Sequence, residues 1–179
     1  MSAPEIRDAT PADARRIAAI KVAGWQAAYR GLLPDSALDS LDVDRLTDEW
    51  SQRLTSPSAC LVVVDHDAVA GYVVLGPYRW TKADDPALKH AGEVYACYVD
   101  PDRWGGGLGR RLMTAAQARL EDAGLADQAL WVLETNQAGR RFYEALGWSW
   151  DGARDERCEL DDALEVRYRN TRSDPRVPA

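Results

Sequence analysis

The chain has 179 residues, 46% of them hydrophobic and 28% charged, with 22 Lys and Arg against 29 Asp and Glu. This length and composition are typical of one folded globular domain and exclude a disordered chain. The net charge of −7 disfavours nucleic-acid binding and a basic membrane-surface role, because both require a positive surface. We predict a single domain over residues 1–179, with a core of about 4–170 and a polar tail of 171–179.

The N-terminal and cysteine patterns predict a cytoplasmic protein without a membrane partner. The N-terminus lacks the apolar stretch of a signal peptide, and no apolar run is long enough to span a membrane. Cys60, Cys97 and Cys158 are far apart and form no CxxC pair, so reduced thiols are expected. His66 and His90 show no metal-ligand spacing, and we expect no metal. No GxSxG occurs, which disfavours a serine hydrolase.

Hydrophobic periodicity predicts seven strands and four helices. The predicted strands cover 5–9, 60–65, 69–75, 93–99, 129–133, 148–155 and 164–169. The first predicted helix has Thr10 as its cap and is broken at Gly31 and Pro34. The other predicted helices cover 44–54, 108–124 and 138–146. Residues 79–91 are predicted to form a loop. The order β-α-α-β-β-β-α-β-α-β-β favours an α/β (α+β) fold, with a mixed, mostly antiparallel sheet of about seven strands flanked by about four helices.

A glycine run lies between the fourth predicted strand and the helix that follows it. Four of the five residues 105–109 are glycine, although glycine ordinarily collects after a helix. Ordering each glycine costs about 0.5–1 kcal/mol relative to alanine. In return, the run exposes backbone N–H groups that an anion can approach at a helix N-terminus. Because Arg103, Arg110 and Arg111 surround the run, we interpret it as an anion-binding loop, most consistent with a pyrophosphate.

Two common phosphate-binding motifs do not fit this run. GxGxxG fails in both frames, because Arg110 and Leu112 stand at its last position. The run also follows the fourth strand instead of the first, so a dinucleotide-binding fingerprint lacks its context. No Gly-Lys dipeptide occurs in the chain, which excludes a P-loop.

The region resembles the GNAT superfamily of acetyl-coenzyme A-dependent N-acetyltransferases. That family carries [Q/R]-x-x-G-x-[G/A] at this place, and WGGGLG at 104–109 fits both glycine positions, with Trp104 where Gln or Arg is usual. A Val-x-Pro pattern precedes the run at 99–101, and N-x-A-x-x-x-F-Y-x-x-L-G-W at 136–148 resembles a second family signature. Together with the element order, the resemblance covers about residues 4–170 and implies acetyl-CoA as co-substrate.

The resemblance implies which residues bind the coenzyme. The loop amides would hold its pyrophosphate, the backbone of Tyr98 and Val99 would line the pantetheine, and Asn136 would reach the pantetheine or the thioester. Trp104 could shield the phosphates, stack near the adenine or pack against its own helix. The implied set is Tyr98, Val99, Trp104, Gly105, Gly106, Gly107, Leu108, Gly109, Arg110, Asn136 and Tyr143.

Tyr143 is the predicted general acid. It lies one residue round from a stripe, Ala138, Phe142 and Leu146, that is predicted to face the core, so its ring can pack while its hydroxyl reaches a pocket. In the resembled family the matching Tyr protonates the leaving thiolate. A purely structural Tyr is the alternative.

The acceptor ammonium must also lose a proton, because an alkylammonium has a pKa near that of lysine, about 10.4. Glu93 opens the strand that leads to the glycine run, where the family often places a base. The alternative for Glu93 is a solvated carboxylate at a strand end. His90, Asp100 and Glu165 are weaker candidates for the base.

The acceptor is predicted to be a primary amine of a small molecule or peptide. Trp25, Tyr29, Tyr78 and Trp80 could wall its pocket or belong to the core. Direct attack of the amine on the thioester is expected, because nothing in the sequence supplies Cys97 with a base. A non-catalytic acyl-CoA-binding sensor, transfer of a longer or charged acyl group, and a homodimer are the alternatives left open.

Overall fold

The computed structural model describes residues 3–55, 59–79, 85–155 and 164–170. Its strands are β1 (Glu5–Asp8), β2 (Cys60–Asp65), β3 (Ala68–Pro77), β4 (Gly92–Val99), β5 (Gln128–Leu133), β6 (Ser149–Asp155) and β7 (Glu165–Asn170). Its α-helices are α1 (Ala14–Tyr29), α2 (Asp35–Asp39), α3 (Val43–Arg53), α4 (Leu108–Asp122) and α5 (Gln137–Glu144). Short 3-10 helices cover Pro11–Asp13, Pro86–Leu88 and Pro101–Arg103. No helix within these ranges is long and apolar enough to cross a membrane.

The seven strands form one sheet in the order β1-β2-β3-β4-β5-β7-β6. The pairs β1–β2, β2–β3, β5–β7 and β6–β7 are antiparallel. The pair β4–β5 is parallel and joins Gly92–Val94 to Gln128–Leu130. This arrangement confirms the predicted mixed, mostly antiparallel sheet of about seven strands.

One helix was not predicted. The sequence predicts a break at Gly31 and Pro34 and no helix before residue 44, but α2 begins directly after Pro34. A helix of five residues spans little more than one turn, so it shows no periodicity that would reveal it.

Contacts divide the chain into two compact units, and the first comprises Met1–Leu75 and Tyr95–Gln117. Its core is formed mainly by apolar side chains from α1, α3, β2 and β3. The largest of these are Ile17, Ile20, Leu46, Trp50, Leu54 and Tyr72. The ring of Tyr72 contacts Trp50 edge-on at 5.4 Å and lies 5.6 Å from the ring of Tyr98, between ring centroids, which ties α3, β3 and β4 together.

A buried carboxylate fixes the start of α1 in this first unit. Asp13 accepts hydrogen bonds from the backbone N–H of Thr10 (2.8 Å) and from its hydroxyl (2.9 Å), and it pairs with Arg7 at 2.8 Å. The Arg7 guanidinium is the main cause that lowers the pKa of Asp13 to about 2, with the Thr10 donors adding to it. The carboxylate is therefore ionised wherever the protein is folded near neutral pH.

The second unit comprises Gly76–Val94 and Ala118–Ala179. Tyr78, Leu88, Ala91 and Ala129 form a small apolar cluster within it. The prediction of a single domain over the whole chain stays a prediction.

Candidate active site

The glycine run forms an open loop at the N-terminus of α4. Gly105 and Gly107 have φ of +79° and +78°, and nothing lies within 4 Å of where a Cβ would stand. Backbone conformation, rather than crowding, therefore requires glycine at both positions. The Arg111 N–H donates to the Gly107 carbonyl at 3.2 Å, so α4 begins immediately after Gly107. The first N–H groups of α4 consequently lack partners within the helix, which is the geometry of an anion site.

The side chains just before the glycines are engaged with the protein itself. Arg103 donates from Nη1 to the Asp65 carboxylate at 2.9 Å, so one of the three arginines that surround the run is paired within the protein. Asp100 pairs with Arg16 and accepts the N–H of Asp102 at 3.1 Å. These contacts disfavour Asp100 as a base.

Trp104 bonds back to the end of β4. Its indole Nε1 donates to the Val99 carbonyl at 2.9 Å, and the residue is 53% exposed. An exposed ring held in this way does not fit the alternative in which Trp104 packs against its own helix. The two ligand-facing alternatives, shielding the phosphates and stacking near the adenine, stay predictions.

Three of the predicted ligand-binding aromatic residues lie together at the end of β4. The Trp25 indole Nε1 donates to the Tyr98 hydroxyl at 2.8 Å, and the rings of Trp25 and Tyr29 meet edge-on at 5.4 Å. All three residues are half-buried. The ammonium nitrogen of Lys21 lies 5.4 Å from the Trp25 ring centroid. We call Trp25, Tyr29 and Tyr98 the aromatic cluster.

Gly71 is a residue of this region that the sequence analysis missed. A Cβ on Gly71 would stand 2.8 Å from the Tyr98 carbonyl oxygen and 3.1 Å from a methyl group of Leu112. Glycine therefore lets β3 approach β4 where the backbone of Tyr98 is predicted to line the coenzyme. Isolated glycine inside a strand pattern is a weak sign of such a close approach.

Glu93 is fully buried at the start of β4. Its Oε2 accepts the backbone N–H of Arg79 at 2.9 Å, and its Oε1 accepts the guanidinium from Nε at 3.0 Å and Nη2 at 2.5 Å. The alternative of a solvated carboxylate is therefore wrong. The base role of Glu93 stays a prediction, with both oxygens engaged by one arginine.

Asn136 and Tyr143 are placed by α5. The Asn136 side-chain oxygen accepts the Gly139 N–H at 2.9 Å and so caps the helix. Tyr143 is half-buried, with its ring centroid 5.2 Å from Phe142 and 6.5 Å from Tyr168. The predicted core-facing stripe is wrong at Ala138, which is exposed, and α5 has no fully buried residue.

Polar contacts hold α5 against β7. The Tyr168 hydroxyl donates to Glu144 at 2.6 Å and accepts from the Arg140 Nε at 3.0 Å. Tyr168 is itself fully buried. These contacts fix the helix that carries Tyr143, although α5 buries little apolar surface of its own.

Tyr78 belongs to a buried polar network. Its hydroxyl accepts from Arg167 at 3.2 Å, and Arg167 also donates to Asp85 at 2.8 Å and Asp151 at 2.7 Å. Only 4% of Tyr78 is exposed, and burial raises the pKa of its hydroxyl. Tyr78 is therefore a core residue here. Trp80, the fourth aromatic residue predicted for the acceptor, lies outside the described residues.

The remaining titratable candidates add little chemistry. Cys97 is half-buried on β4, and burial raises the pKa of its thiol to about 12, so it is not a thiolate at neutral pH. His90 is exposed and Glu165 is half-buried on β7. Across the part of the chain that the structure describes, no group of three His, Cys, Asp or Glu side chains could hold a metal ion.

The comparisons with known proteins agree with this geometry. Residues 25–148 match the acetyltransferase (GNAT) family. An uncharacterized N-acetyltransferase of Bacillus subtilis, YuaI, is 30% identical over 141 residues, covering 78% of this chain and 77% of that protein. The mycothiol acetyltransferase of Actinosynnema mirum is 43% identical over 82 residues, covering 46% of this chain and 27% of that protein. The crystal structure of the PaiA N-acetyltransferase of Thermoplasma acidophilum in complex with coenzyme A is similar to this one, with a TM-score of 0.72 at 16% sequence identity. The match covers 93% of this chain and 98% of that chain.

The chain belongs to the acetyltransferase (GNAT) family. The predicted family, fold class and enzyme class, an acyl-CoA-dependent N-acyltransferase, are confirmed. The chain spans about a quarter of the mycothiol acetyltransferase that it matches, and the structural similarity at 16% identity shows the fold alone.

Proposed function

We propose that this protein transfers an acetyl group from acetyl-CoA to a primary amine of a small molecule or peptide by direct attack. The observation that carries the proposal is the exposed glycine loop, in which Gly105 and Gly107 adopt left-handed conformations immediately before α4. Such a loop presents backbone N–H groups to an anion, and membership of the family supports the pyrophosphate of acetyl-CoA as that anion.

The coenzyme contacts follow from these elements. The amides of residues 105–109 and the side chain of Arg110 hold the pyrophosphate. Backbone groups of Tyr98 and Val99 line the pantetheine. Asn136 uses its side-chain oxygen to cap α5, which leaves its NH₂ group for the pantetheine or thioester. Trp104 covers the phosphates or the adenine with its exposed ring.

The transfer is a single displacement. The amine nitrogen attacks the thioester carbonyl, the new C–N bond forms, and the C–S bond breaks. Backbone N–H groups of β4 stabilise the negative charge on the carbonyl oxygen. Tyr143 gives its hydroxyl proton to the departing thiolate, the amide nitrogen loses its extra proton to water, and Tyr143 regains a proton from water, so that the products are the amide and free coenzyme A. The half-buried ring, packed beside Phe142 and Tyr168, supports this role.

The second proton transfer removes a proton from the acceptor ammonium before its nitrogen attacks. Glu93 is the candidate base. Both of its oxygens accept hydrogen bonds from Arg79, which hold the carboxylate in one place. The Arg79 contacts therefore favour a positioning role for Glu93, in which the proton leaves to water.

The net charge of −7 supports a cationic acceptor. In the aromatic cluster, the Trp25 ring is contacted by the protein's own cation, since the Lys21 ammonium nitrogen lies 5.4 Å from the ring centroid, within the range of a cation–π interaction. Transfer of a longer acyl group, a homodimer and a cytoplasmic location stay predictions.

The experiment is a thiol-release screen of amines with acetyl-CoA, in wild type and Tyr143→Phe. The substitution keeps the packed ring and removes only the hydroxyl, so kcat should fall by about 10²–10⁴-fold, the usual contribution of a general acid. The affinity for acetyl-CoA should be unchanged. Tyr72→Phe, which removes a hydroxyl from the core of the first unit, is the matched control and should keep wild-type turnover.

Two results would contradict the proposal. Wild-type turnover in Tyr143→Phe would make that tyrosine structural. Coenzyme binding without thiol release for any amine would favour the alternative of a non-catalytic acyl-CoA-binding module.

A further inference from the structure

Residues Asp100–Trp104, which we call the β4 turn, are held in place at several points. The Asp100 N–H donates to the Ala70 carbonyl at 2.9 Å, and the Asp100 carboxylate pairs with Arg16. Arg103 pairs with Asp65 at 2.9 Å. Trp104 donates its indole N–H to the Val99 carbonyl. The glycine loop starts at the next residue.

Most of these partners belong to the β2–β3 hairpin. Asp65 is the last residue of β2, and Ala70 lies on β3. Arg16 comes from α1, but its Nε donates to the Val69 carbonyl on β3 at 2.8 Å. The hairpin thus contributes Asp65 to the ion pair with Arg103. It also orients Arg16, which forms the second ion pair with Asp100.

The turn of this hairpin fixes where Asp65 stands. Asp65 pairs with Ala68 across a two-residue connection, and the connecting residues His66 and Asp67 both have positive φ, +50° and +62°. Positive φ at both positions defines a type I′ turn. His and Asp are, with Asn, the non-glycine residues that adopt positive φ most often, so this two-residue turn closes the hairpin with Asp65 at its edge.

The glycine loop cannot order itself through side chains. Gly105 and Gly107 have no atom within 4 Å of a would-be Cβ, and residues 105–107 are exposed. One end of the loop is fixed by α4, so the other end depends on the β4 turn. In this arrangement the Arg103 guanidinium forms an ion pair with Asp65, so we assign it to holding the turn and not to binding the ligand.

We propose that the ion pairs Asp65–Arg103 and Arg16–Asp100 form a clamp that preorganises the glycine loop for the coenzyme pyrophosphate. The four residues are positioning residues. The inference rests on the proposed function of the loop. A loop ordered before binding loses less conformational freedom when the ligand arrives, so the clamp lowers the dissociation constant and KM for acetyl-CoA and leaves the chemical step unchanged.

The test compares Asp65→Asn with Asp67→Asn. Both remove one negative charge from the same hairpin, but Asp67 is exposed and is no partner of Arg103 in the contacts described. For Asp65→Asn we expect KM and the dissociation constant for acetyl-CoA to rise by about twofold to fivefold, the scale of a partly exposed ion pair. We expect kcat to be unchanged, and Asp67→Asn to behave as wild type.

A charge swap gives the second measurement. Arg103→Asp alone places a carboxylate opposite Asp65 and should weaken binding further, whereas Asp65→Arg combined with Arg103→Asp should restore the wild-type KM. Melting temperatures without ligand check that each variant folds.

The outcomes separate the clamp from the function on which it rests. If the folded Asp65→Asn variant keeps the wild-type KM, or if its kcat falls instead, the clamp is overturned. Binding of acetyl-CoA by the wild type would then still support the proposed function. A charge swap that folds and does not restore KM also overturns it. Wild type that fails to bind acetyl-CoA overturns the proposed function itself.

Discussion

The two ends of β4 show different ways of using charge. At the start, Glu93 is fully buried and engaged by Arg79. At the end, Asp100 and Arg103 are partly exposed and their ion pairs hold a turn. The proposed anion site follows that turn and uses the backbone amides of the glycine loop together with Arg110. Substitutions at the two ends should therefore fail in different ways.

The largest effect is expected from Gly107→Val, which attacks the backbone amides themselves. A β-branched residue does not adopt the φ of +78° found there. At 100 times its dissociation constant a ligand adds about 2.7 kcal/mol, which for a chain of this size is a melting shift of about 5–11 °C. The shift with acetyl-CoA should be present in wild type and absent in Gly107→Val.

Gly124→Val is the matched control for that measurement. Gly124 follows α4 with φ of +79° and has nothing within 4 Å of a would-be Cβ, as at Gly107. The same backbone strain should lower its melting temperature but leave the acetyl-CoA shift intact. An unchanged shift in a folded Gly107→Val variant would remove the loop from coenzyme binding.

The sequence predicted one end of β4 better than the other, for a physical reason. The glycine loop was predictable because its signal is local: glycines before a helix serve backbone geometry wherever the chain folds. The burial of Glu93 was not, because its partner Arg79 is 14 residues away and no pattern links the two. The Arg103–Asp65 ion pair was not predictable for the same reason, since the two residues are 38 positions apart in sequence.

The same distinction holds for the whole fold. All seven strands and the four longer helices were predictable from hydrophobic periodicity together with cap and turn residues, which are local signals. Helix α2 has five residues and was missed. The exposure of Ala138 was also missed, because α5 is held by Tyr168, Glu144 and Arg140 more than by an apolar face.

Glu93→Gln is expected to have the next largest effect and tests the buried end of β4. Gln keeps the shape of Glu93 but lacks the charge that holds Arg79, so we expect the backbone at Arg79 to shift. Misplacement by about 1 Å can cost about 10²-fold in rate. We expect turnover to fall by up to that factor, equally at every pH, and the acetyl-CoA melting shift to persist.

The pH–rate profile of Glu93→Gln decides between its two roles. If Glu93 were the base, much of the loss should recover at high pH, where free amine becomes abundant. Such recovery would contradict the positioning role. Arg79→Gln, which breaks the same ion pair from the other side, should reproduce the uniform loss.

Asp13→Asn tests how much a buried carboxylate outside β4 contributes to the free energy of unfolding. The pKa of Asp13 falls from 3.8 to about 2 on folding, and at 1.36 kcal/mol per unit this difference contributes about 2 kcal/mol. Since the folded pKa is depressed, the contribution is present above about pH 4 and is lost as the pH falls towards 2. Urea unfolding should show wild type more stable than the variant by this amount at pH 7, with the difference shrinking below pH 4.

Asp44→Asn is the contrasting control. Asp44 pairs with Arg15 at 2.6 Å, but the side chains are 81% and 71% exposed, so solvent screens the pair and its removal should barely change stability. Equal losses of unfolding free energy in Asp13→Asn and Asp44→Asn would show that burial does not determine how much each ion pair contributes to stability.

The smallest effect is expected at Cys97, on the same strand between the two ends. Burial holds the pKa of its thiol at about 12, and the nucleophile in a thioester exchange is the thiolate. A direct displacement needs no acetylated enzyme, so Cys97→Ala should retain wild-type turnover at neutral pH. The acetylated protein should also be absent from mass spectra recorded during turnover. Loss of activity in a Cys97→Ala variant that melts and binds acetyl-CoA normally, together with a cysteine-linked acetyl group on wild type, would replace direct attack by a two-step transfer. In that case the middle of β4, rather than either of its ends, would carry the chemistry.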